Sequence, residues 1–121
     1  MPTDSTVRLA ALVRRYYDCI DAADYNGVFE LFDEEITYHR PGQPPIEGIE
    51  ALQTFYLEER PLELGEHTIE SLVVDNDTVA VHGRYAGEQG GDTVDFGWAD
   101  FHTFDDDVIV ERHTYTDRDT I

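Results

Sequence analysis

Residues 92–117, DTVDFGWADFHTFDDDVIVERHTYTD, decide the fold that the rest of the chain has to complete. The alternation of apolar and polar residues on either side of an acidic turn predicts two long β-strands that form a hairpin. The hairpin carries the only tryptophan, Trp98, together with Asp100, His113 and Tyr115. A carboxylate buried beside a tryptophan is costly unless it has a partner or a function. We therefore expect this hairpin to form one wall of an interior site.

Two further strands are predicted directly upstream of the hairpin. They are HTIESLVVD (67–75) and TVAVHGRYAG (78–87), and each is followed by a turn rich in Asn, Asp or Gly. Four successive strands with short turns predict an antiparallel meander. On the second strand, Val79 and Val81 alternate with His82, so the sequence leaves open which face is buried and which faces solvent.

The first half of the chain predicts three helices and one short strand. An apolar stripe with helical spacing covers 4–23, a second short helix follows an Asp24 cap and runs to Phe32, and a third covers 49–59. The strand Ile36–Arg40 lies between the second and third helices and stops before a proline-rich stretch. This order predicts an α+β fold in which a curved, mostly antiparallel sheet wraps three helices within a single domain, residues 1–121.

A pocket is expected in the concavity between the sheet and the first helix. Tyr16 lies in the middle of the helical stripe, so its ring should enter the core, where its hydroxyl needs a partner. Arg40 either points inward from the end of its strand or is a surface arginine paired with an acid, and His39 lies on the opposite face. The other residues expected to line the pocket are Tyr38, Phe55, Tyr56, His82, Trp98 and Tyr115.

The charge balance is strongly acidic. The chain has 27 acidic and 8 basic residues, a net charge of −19, and every basic residue is arginine. Such a surface repels nucleic acid and anionic membranes. A lysine-free acidic surface is typical of proteins adapted to a high-salt cytoplasm, where charge repulsion is screened. We expect a halophilic source and a melting temperature that is higher in molar KCl than in dilute buffer.

The remaining composition indicates a small protein of the cytoplasm. Cys19 lies on the apolar stripe of the first helix and is expected to be a core residue. Nothing has the Cys/His spacing of a metal finger, so neither a metal nor a cofactor is expected. The start, MPTDSTVR, lacks the basic and apolar regions of a signal peptide, and no apolar run approaches the length of a membrane span.

Two segments carry a resemblance to a known family. Residues 6–56, from TVRLAALVRRYY through AADYNGVFELFDEEITYHRPG to GIEALQTFY, and residues 99–117, ADFHTFDDDVIVERHTYTD, resemble the NTF2-like superfamily. They are most similar to its SnoaL-like and ketosteroid-isomerase-like branch, whose cystatin-like fold is a cone of three helices on a curved sheet. The resemblance covers nearly the whole chain and implies the fold more strongly than the reaction.

The resemblance also implies roles for particular residues. Tyr16 and Asp100 fall at or beside the positions of the two oxyanion donors of the steroid isomerases, where the carboxyl group is kept protonated. The general-base aspartate of those enzymes maps onto Arg40, which cannot remove a proton, and the last-strand aspartate of cyclase and epoxide-hydrolase relatives maps onto Thr114. If chemistry occurs, the base is expected to be His113, His39 or Asp100 itself.

Two functions follow from these observations, and the sequence leaves both open. One is a cofactor-free isomerase, cyclase or hydratase acting on a small apolar carbonyl compound. The other is a binding or dimerisation module without chemistry. Asp100 is either a protonated donor or half of a buried ion pair with Arg40 or Arg112. A homodimer through the sheet is expected, and Val79, Val81, Val108 and Val110 either form its apolar face or belong to the core.

Overall fold

The computed structural model describes residues 4–59 and 62–117. It confirms the α+β class, with helices on the concave face of one six-stranded sheet. Among the described helices, none is long and apolar enough to cross a membrane.

Three helices come from the first half of the chain, as predicted, but with two differences. The helices are α1 (Asp4–Asp21), α2 (Tyr25–Phe29) and α3 (Ile49–Thr54). The Asp24 side chain caps α2 by accepting a hydrogen bond from the backbone N–H of Gly27 at 3.1 Å. The predicted third helix changes to a π-helix over Phe55–Glu59. A π-helix is uncommon and is frequently found at functional sites, so this turn is a first indication of where the site lies.

The second helix is shorter than predicted because the following strand begins earlier. Leu31 and Phe32 are buried as expected, but Phe32 already belongs to the first strand, β1 (Phe32–His39). A short strand that was not predicted pairs antiparallel with β1 after the prolines. The strands are β1 (Phe32–His39), β2 (Ile46–Glu47), β3 (Leu62–Asp75), β4 (Thr78–Gln89), β5 (Asp92–Asp105) and β6 (Val108–Thr116).

The strand order in the sheet is β2-β1-β6-β5-β4-β3. Strands β3 to β6 form the predicted antiparallel meander, and β1 joins it by pairing parallel with β6. The last strand of the chain therefore lies in the middle of the sheet, between β1 and β5. Its inward side chains meet those of both neighbours, which makes β6 the strand best placed to assemble a site.

The inner face of the sheet packs against α1 and α3 to form the core. Val79, Val81 and Tyr85 of β4 are at most 2% exposed and belong to it, whereas His82 points outward. The suggestion that Val79 and Val81 form a dimer face is therefore wrong. Alternate residues of a strand lie on opposite faces of the sheet, and the sequence alone did not decide which face of β4 was covered.

A β-bulge interrupts the pairing of β5 with β6. Phe104 pairs with Ile109, but the preceding residue Thr103 pairs with Glu111, so Val110 is an extra residue in β6. Ile109 is buried, and beyond the bulge it is Arg112, not Glu111, that is buried. The bulge therefore exchanges the inner and outer faces for the second half of β6.

Candidate functional site

A set of buried polar and aromatic side chains converges on the inner face of the sheet beneath α1. We call it the interior cluster, and no member is more than 6% exposed. It consists of Tyr16 and Tyr17 from α1, Tyr38 from β1, Tyr56 from the π-helix, Asp100 and His102 from β5, and Arg112 and Thr114 from β6.

An ion pair between Arg112 and Asp100 forms the centre of the interior cluster. The Nη2 atom of Arg112 donates to Oδ2 of Asp100 at 2.9 Å. The guanidinium carbon lies 4.6 Å from the ring centroid of Tyr16 and 4.4 Å from that of Tyr38, so two aromatic rings cover it. The structure therefore shows the ion-pair alternative for Asp100, with Arg112 as its partner.

Two hydroxyl groups complete the surroundings of the Asp100 carboxylate. Tyr17 donates to Oδ2 and Thr114 donates to Oδ1, while the Tyr38 hydroxyl lies 2.9 Å from Oγ1 of Thr114. Burial alone would raise the pKa of Asp100, but the Arg112 guanidinium and the two donated hydrogen bonds outweigh it and hold this pKa below its ordinary value. Asp100 is thus an ionised acceptor, which favours the ion-pair alternative over the protonated donor that the resemblance implies.

The two remaining tyrosines lie at the other end of the Arg112 guanidinium. Its Nη1 atom donates to the hydroxyl oxygen of Tyr16 at 2.6 Å and to that of Tyr56 at 2.9 Å. The two hydroxyl oxygens are 2.5 Å apart. Tyr16 and Asp100, which were expected to converge, are therefore bridged by Arg112 rather than in direct contact. A cationic donor polarises a hydroxyl group, so this pair is a stronger hydrogen-bond donor than an ordinary phenol.

His102 is the histidine that the fold places inside. Its Nε2 lies 2.9 Å from the Tyr17 hydroxyl. Because Tyr17 gives its own hydrogen to Asp100, we assign the proton to Nε2 of His102, which leaves Nδ1 as an acceptor. This Nδ1 atom is buried and has no hydrogen-bond partner among the described residues. Burial lowers the pKa of His102 to about 3, so the imidazole is neutral at pH 7.

Trp98 and Phe55 form the apolar surroundings, as expected from the sequence. The Trp98 ring lies 4.9 Å from that of Tyr17 and is 5% exposed. The half-buried Arg40 stacks on Phe55 at 4.3 Å, so it faces the same side of the sheet as Tyr38. The water-excluding walls strengthen every electrostatic interaction within the interior cluster.

Four residues that were expected to line the interior lie elsewhere. His82 and Tyr115 are exposed on the outer face, and His39 and His113 are half-buried there with their rings stacked at 4.0 Å. His82 and Tyr115 were expected to line the pocket and His39 and His113 to supply its base, and both expectations are corrected. The bulge at Val110 explains two of them, because regular alternation through Val110 would put His113 and Tyr115 on the inner face with Ile109.

His67 lies at the edge of the interior. Its Nδ1 lies 2.6 Å from Oδ1 of Asp21, and its backbone N–H donates to the same carboxylate at 2.8 Å. Its ring packs 5.2 Å from Tyr17 and 5.4 Å from Trp98. The pair joins the end of α1 to β3 and holds the Tyr17 side of the interior cluster in place.

Sequence reasoning assigned no role to Tyr17, His102 or Thr114, and it considered Arg112 only as a partner for Asp100. One signal was available for His102, since alternation along β5 puts it on the same face as Asp100 and Trp98. No comparable signal existed for Arg112 and Thr114, because their inward orientation depends on the bulge.

Comparison with known proteins places the chain in a family. Residues 13–112 match the SnoaL-like domain. No curated protein matches the chain significantly. Among solved structures, a candidate SnoaL-like polyketide cyclase from Jannaschia sp. CCS1 superposes with a TM-score of 0.85 at 20% identity, covering 97% of this chain and 90% of that one.

Two further structures agree in fold. An LEH-like epoxide hydrolase from M. tuberculosis has a TM-score of 0.83 at 19% identity, covering 93% of this chain and 85% of its own. A candidate ketosteroid isomerase from Kribbella flavida DSM 17836 has a TM-score of 0.78 at 19% identity, covering 93% and 80%. These likenesses show the NTF2-like fold, and the match to 13–112 shows more: the chain belongs to the SnoaL-like domain family.

Proposed function

We propose that the protein binds a small, largely apolar carbonyl compound at the interior cluster and acts on it as a cofactor-free isomerase, cyclase or hydratase. The observation that carries this proposal is the convergence of Tyr16, Tyr56 and Asp100 on one buried guanidinium. A buried ion pair is no more stabilising than a well-packed apolar core, so an arrangement this polar favours a functional explanation. Because the cluster is closed to water, binding requires one wall to move, and the π-helix that carries Tyr56 is the candidate.

The hydroxyl groups of Tyr16 and Tyr56 are the proposed electrophilic end of the site. Both accept hydrogen bonds from Arg112, and one donates to the other across 2.5 Å, so a carbonyl oxygen that displaces this contact meets a polarised hydroxyl donor. Negative charge that develops on that oxygen is stabilised by the same positively charged group through the phenol. Arg40 is the proposed contact for a second, anionic substituent, since it lies near the interior face with its Nε buried.

His102 is the proposed group that moves the proton. It is neutral at pH 7 and offers Nδ1 as an acceptor. A base with a pKa near 3 removes protons efficiently only from an acidic carbon, such as one between two carbonyl groups. His102 replaces His39 and His113 in this role because both of those lie on the outer face.

Replacing Tyr16 with phenylalanine tests the site directly. A thermal-shift screen of lipophilic ketones, acids and epoxides identifies a ligand, and turnover is then followed by mass spectrometry. Tyr16→Phe is expected to lower kcat by about 10²–10³-fold, the usual effect of losing one donor to a developing oxyanion.

The matched control is Tyr85→Phe, which removes a hydroxyl from another buried tyrosine outside the interior cluster. It is expected to leave kcat unchanged. If Tyr16→Phe turns over the ligand as fast as the wild type, the assigned role is wrong. If the ligand raises the melting temperature but no product forms with any compound, the protein is a binding module.

A second proposal concerns assembly, namely that two copies pair through the outer face of the sheet. Three of its large apolar side chains are exposed, Val73 at 60%, Phe101 at 42% and Tyr115 at 56%. Phe101 and Tyr115 pack edge-to-face at 6.0 Å, and a shallow depression of about 150 Å³ lies between Val73 and Phe101. Large exposed apolar patches mark interaction surfaces, and a copy of the same chain offers matching apolar groups.

The assembly proposal is tested by light scattering in molar KCl, which screens the repulsion between two acidic chains. The wild type is expected to have twice the mass of the chain, and Phe101→Asp the mass of one chain. Val7→Asp is the control, because Val7 is 58% exposed but lies on α1, away from the sheet. A monomeric wild type would disprove the proposal.

A further inference from the structure

Two histidines and a glutamate meet on the outer face of the sheet, opposite the interior cluster. His39 of β1 pairs in register with His113 of β6, and Glu111 lies two residues before His113 on the same face. The side chains are between one third and one half exposed. We call these three residues the histidine–glutamate site.

The distances within the histidine–glutamate site fit a shared metal ion. An Oε2 atom of Glu111 lies 3.4 Å from Nε2 of His39 and 3.6 Å from Nε2 of His113. Two ligands that each lie about 2.0–2.1 Å from a tetrahedral Zn²⁺ are about 3.3–3.4 Å apart. All three ligand atoms lie within 4.8 Å of one another, and binding one ion requires the stacked imidazole rings to turn toward it.

The ligand types select the class of ion. Imidazole nitrogen binds Zn²⁺, Co²⁺, Ni²⁺ and Cu²⁺ well, whereas Mg²⁺ and Ca²⁺ prefer all-oxygen sites. Two histidines and one carboxylate are a complete set of three protein ligands with a further position open. The acidic surface, with its net charge of −19, also raises the local concentration of divalent cations.

We infer that His39, Glu111 and His113 form a binding site for a divalent transition-metal ion of the Zn²⁺ class. The ion joins β1 to β6 across the one parallel pairing of the sheet. The neighbouring residues on those strands, Tyr38, Arg112 and Thr114, point to the other face and belong to the interior cluster. A bound ion therefore stabilises the pairing of the two strands that carry part of the interior cluster, and it does so from the opposite face of the sheet.

The test is a metal titration of chelator-treated protein in molar KCl with excess Mg²⁺, which suppresses unspecific binding to acidic side chains. Co²⁺ is followed by its visible absorption and Zn²⁺ by competition with a chromophoric chelator. The wild type is expected to bind one ion per chain. His39→Ala, His113→Ala and Glu111→Gln are each expected to weaken binding by at least about tenfold.

His82→Ala is the matched control, since His82 is an exposed histidine of the same face whose only described carboxylate neighbour is Glu70 at 4.0 Å. It is expected to bind like the wild type. Zn²⁺ should also raise the melting temperature of the wild type and of His82→Ala, but not that of His113→Ala. Absence of saturable binding overturns the inference, and so does equal loss of affinity in His82→Ala and His113→Ala.

Discussion

Replacing Arg112 with methionine is expected to lower the free energy of unfolding by about 3–5 kcal/mol, the usual cost of removing one partner of a buried ion pair. The substitution leaves the Asp100 carboxylate 1% exposed and without its cation, and it removes a donor from the hydroxyls of Tyr16 and Tyr56. A domain of this size has a total stability of about 5–15 kcal/mol, so the loss is a large share of it. Denaturant unfolding in molar KCl measures the difference.

Arg84→Met is the matched control for this experiment. Arg84 pairs with Asp95 at 2.8 Å, but both side chains are more than half exposed. The expected loss is far smaller than for Arg112→Met, because solvent screens an exposed ion pair. The double variant Asp100→Leu, Arg112→Met should recover part of the lost stability, because it also removes the buried carboxylate that has no cationic partner. If Arg112→Met costs no more than Arg84→Met, the ion pair is not the centre of the interior cluster.

Acidification is expected to destabilise the protein through His102. Burial lowers the pKa of His102 from 6.5 to about 3 in the folded state, whereas the unfolded chain has the ordinary value. The unfolded state therefore binds a proton first, and the contribution of His102 is fully present above pH 6.5 and lost as pH falls toward 3. The loss is about 1.4 kcal/mol per pH unit in this window and roughly 5 kcal/mol in all.

The contribution of His102 is isolated by comparing the wild type with His102→Asn, which does not titrate. Protonation of the many carboxylates relieves their mutual repulsion and so stabilises the folded state as the pH falls. This effect is the same in both proteins and cancels in the comparison. The difference in unfolding free energy between the wild type and His102→Asn should therefore decrease as the pH falls from 6.5 to 5. Asp100, whose pKa is lowered, takes up a proton only below this range. His82→Asn, altered on the surface, should keep the wild-type slope. A difference that does not change with pH contradicts the neutral, buried state of His102.

The overall fold was predictable because its signals are local. Alternation along 92–105 placed Trp98 and Asp100 on one face, and helical spacing in α1 turned Tyr16 toward the core. Both patterns need only a few neighbouring residues to be read. Membership of the SnoaL-like family is shown by the match of residues 13–112, and the likeness to solved structures shows the fold.

The site was only partly predictable because its parts depend on pairing between distant segments. The interpretation of Asp100 as a protonated acid required an apolar environment, and Trp98 supplies only one side of it, whereas Arg112 approaches from another strand. The switch to a π-helix that presents Tyr56 has no recognised signature in the segment FYLEE. His39 and His113 are far apart in the sequence and meet only because β1 pairs with β6.

The extra residue Val110 has a consequence for how such proteins diverge. Losing it would leave Arg112 and Thr114 facing inward, because the residues before and after Val110 keep their partners on β5 when the bulge closes. Regular pairing of β6 with Val110 retained would instead turn Arg112 and Thr114 to solvent and bring Glu111 and His113 inside. A relative can therefore be one residue shorter in this strand and keep the same interior, provided that the missing residue is the one at the bulge.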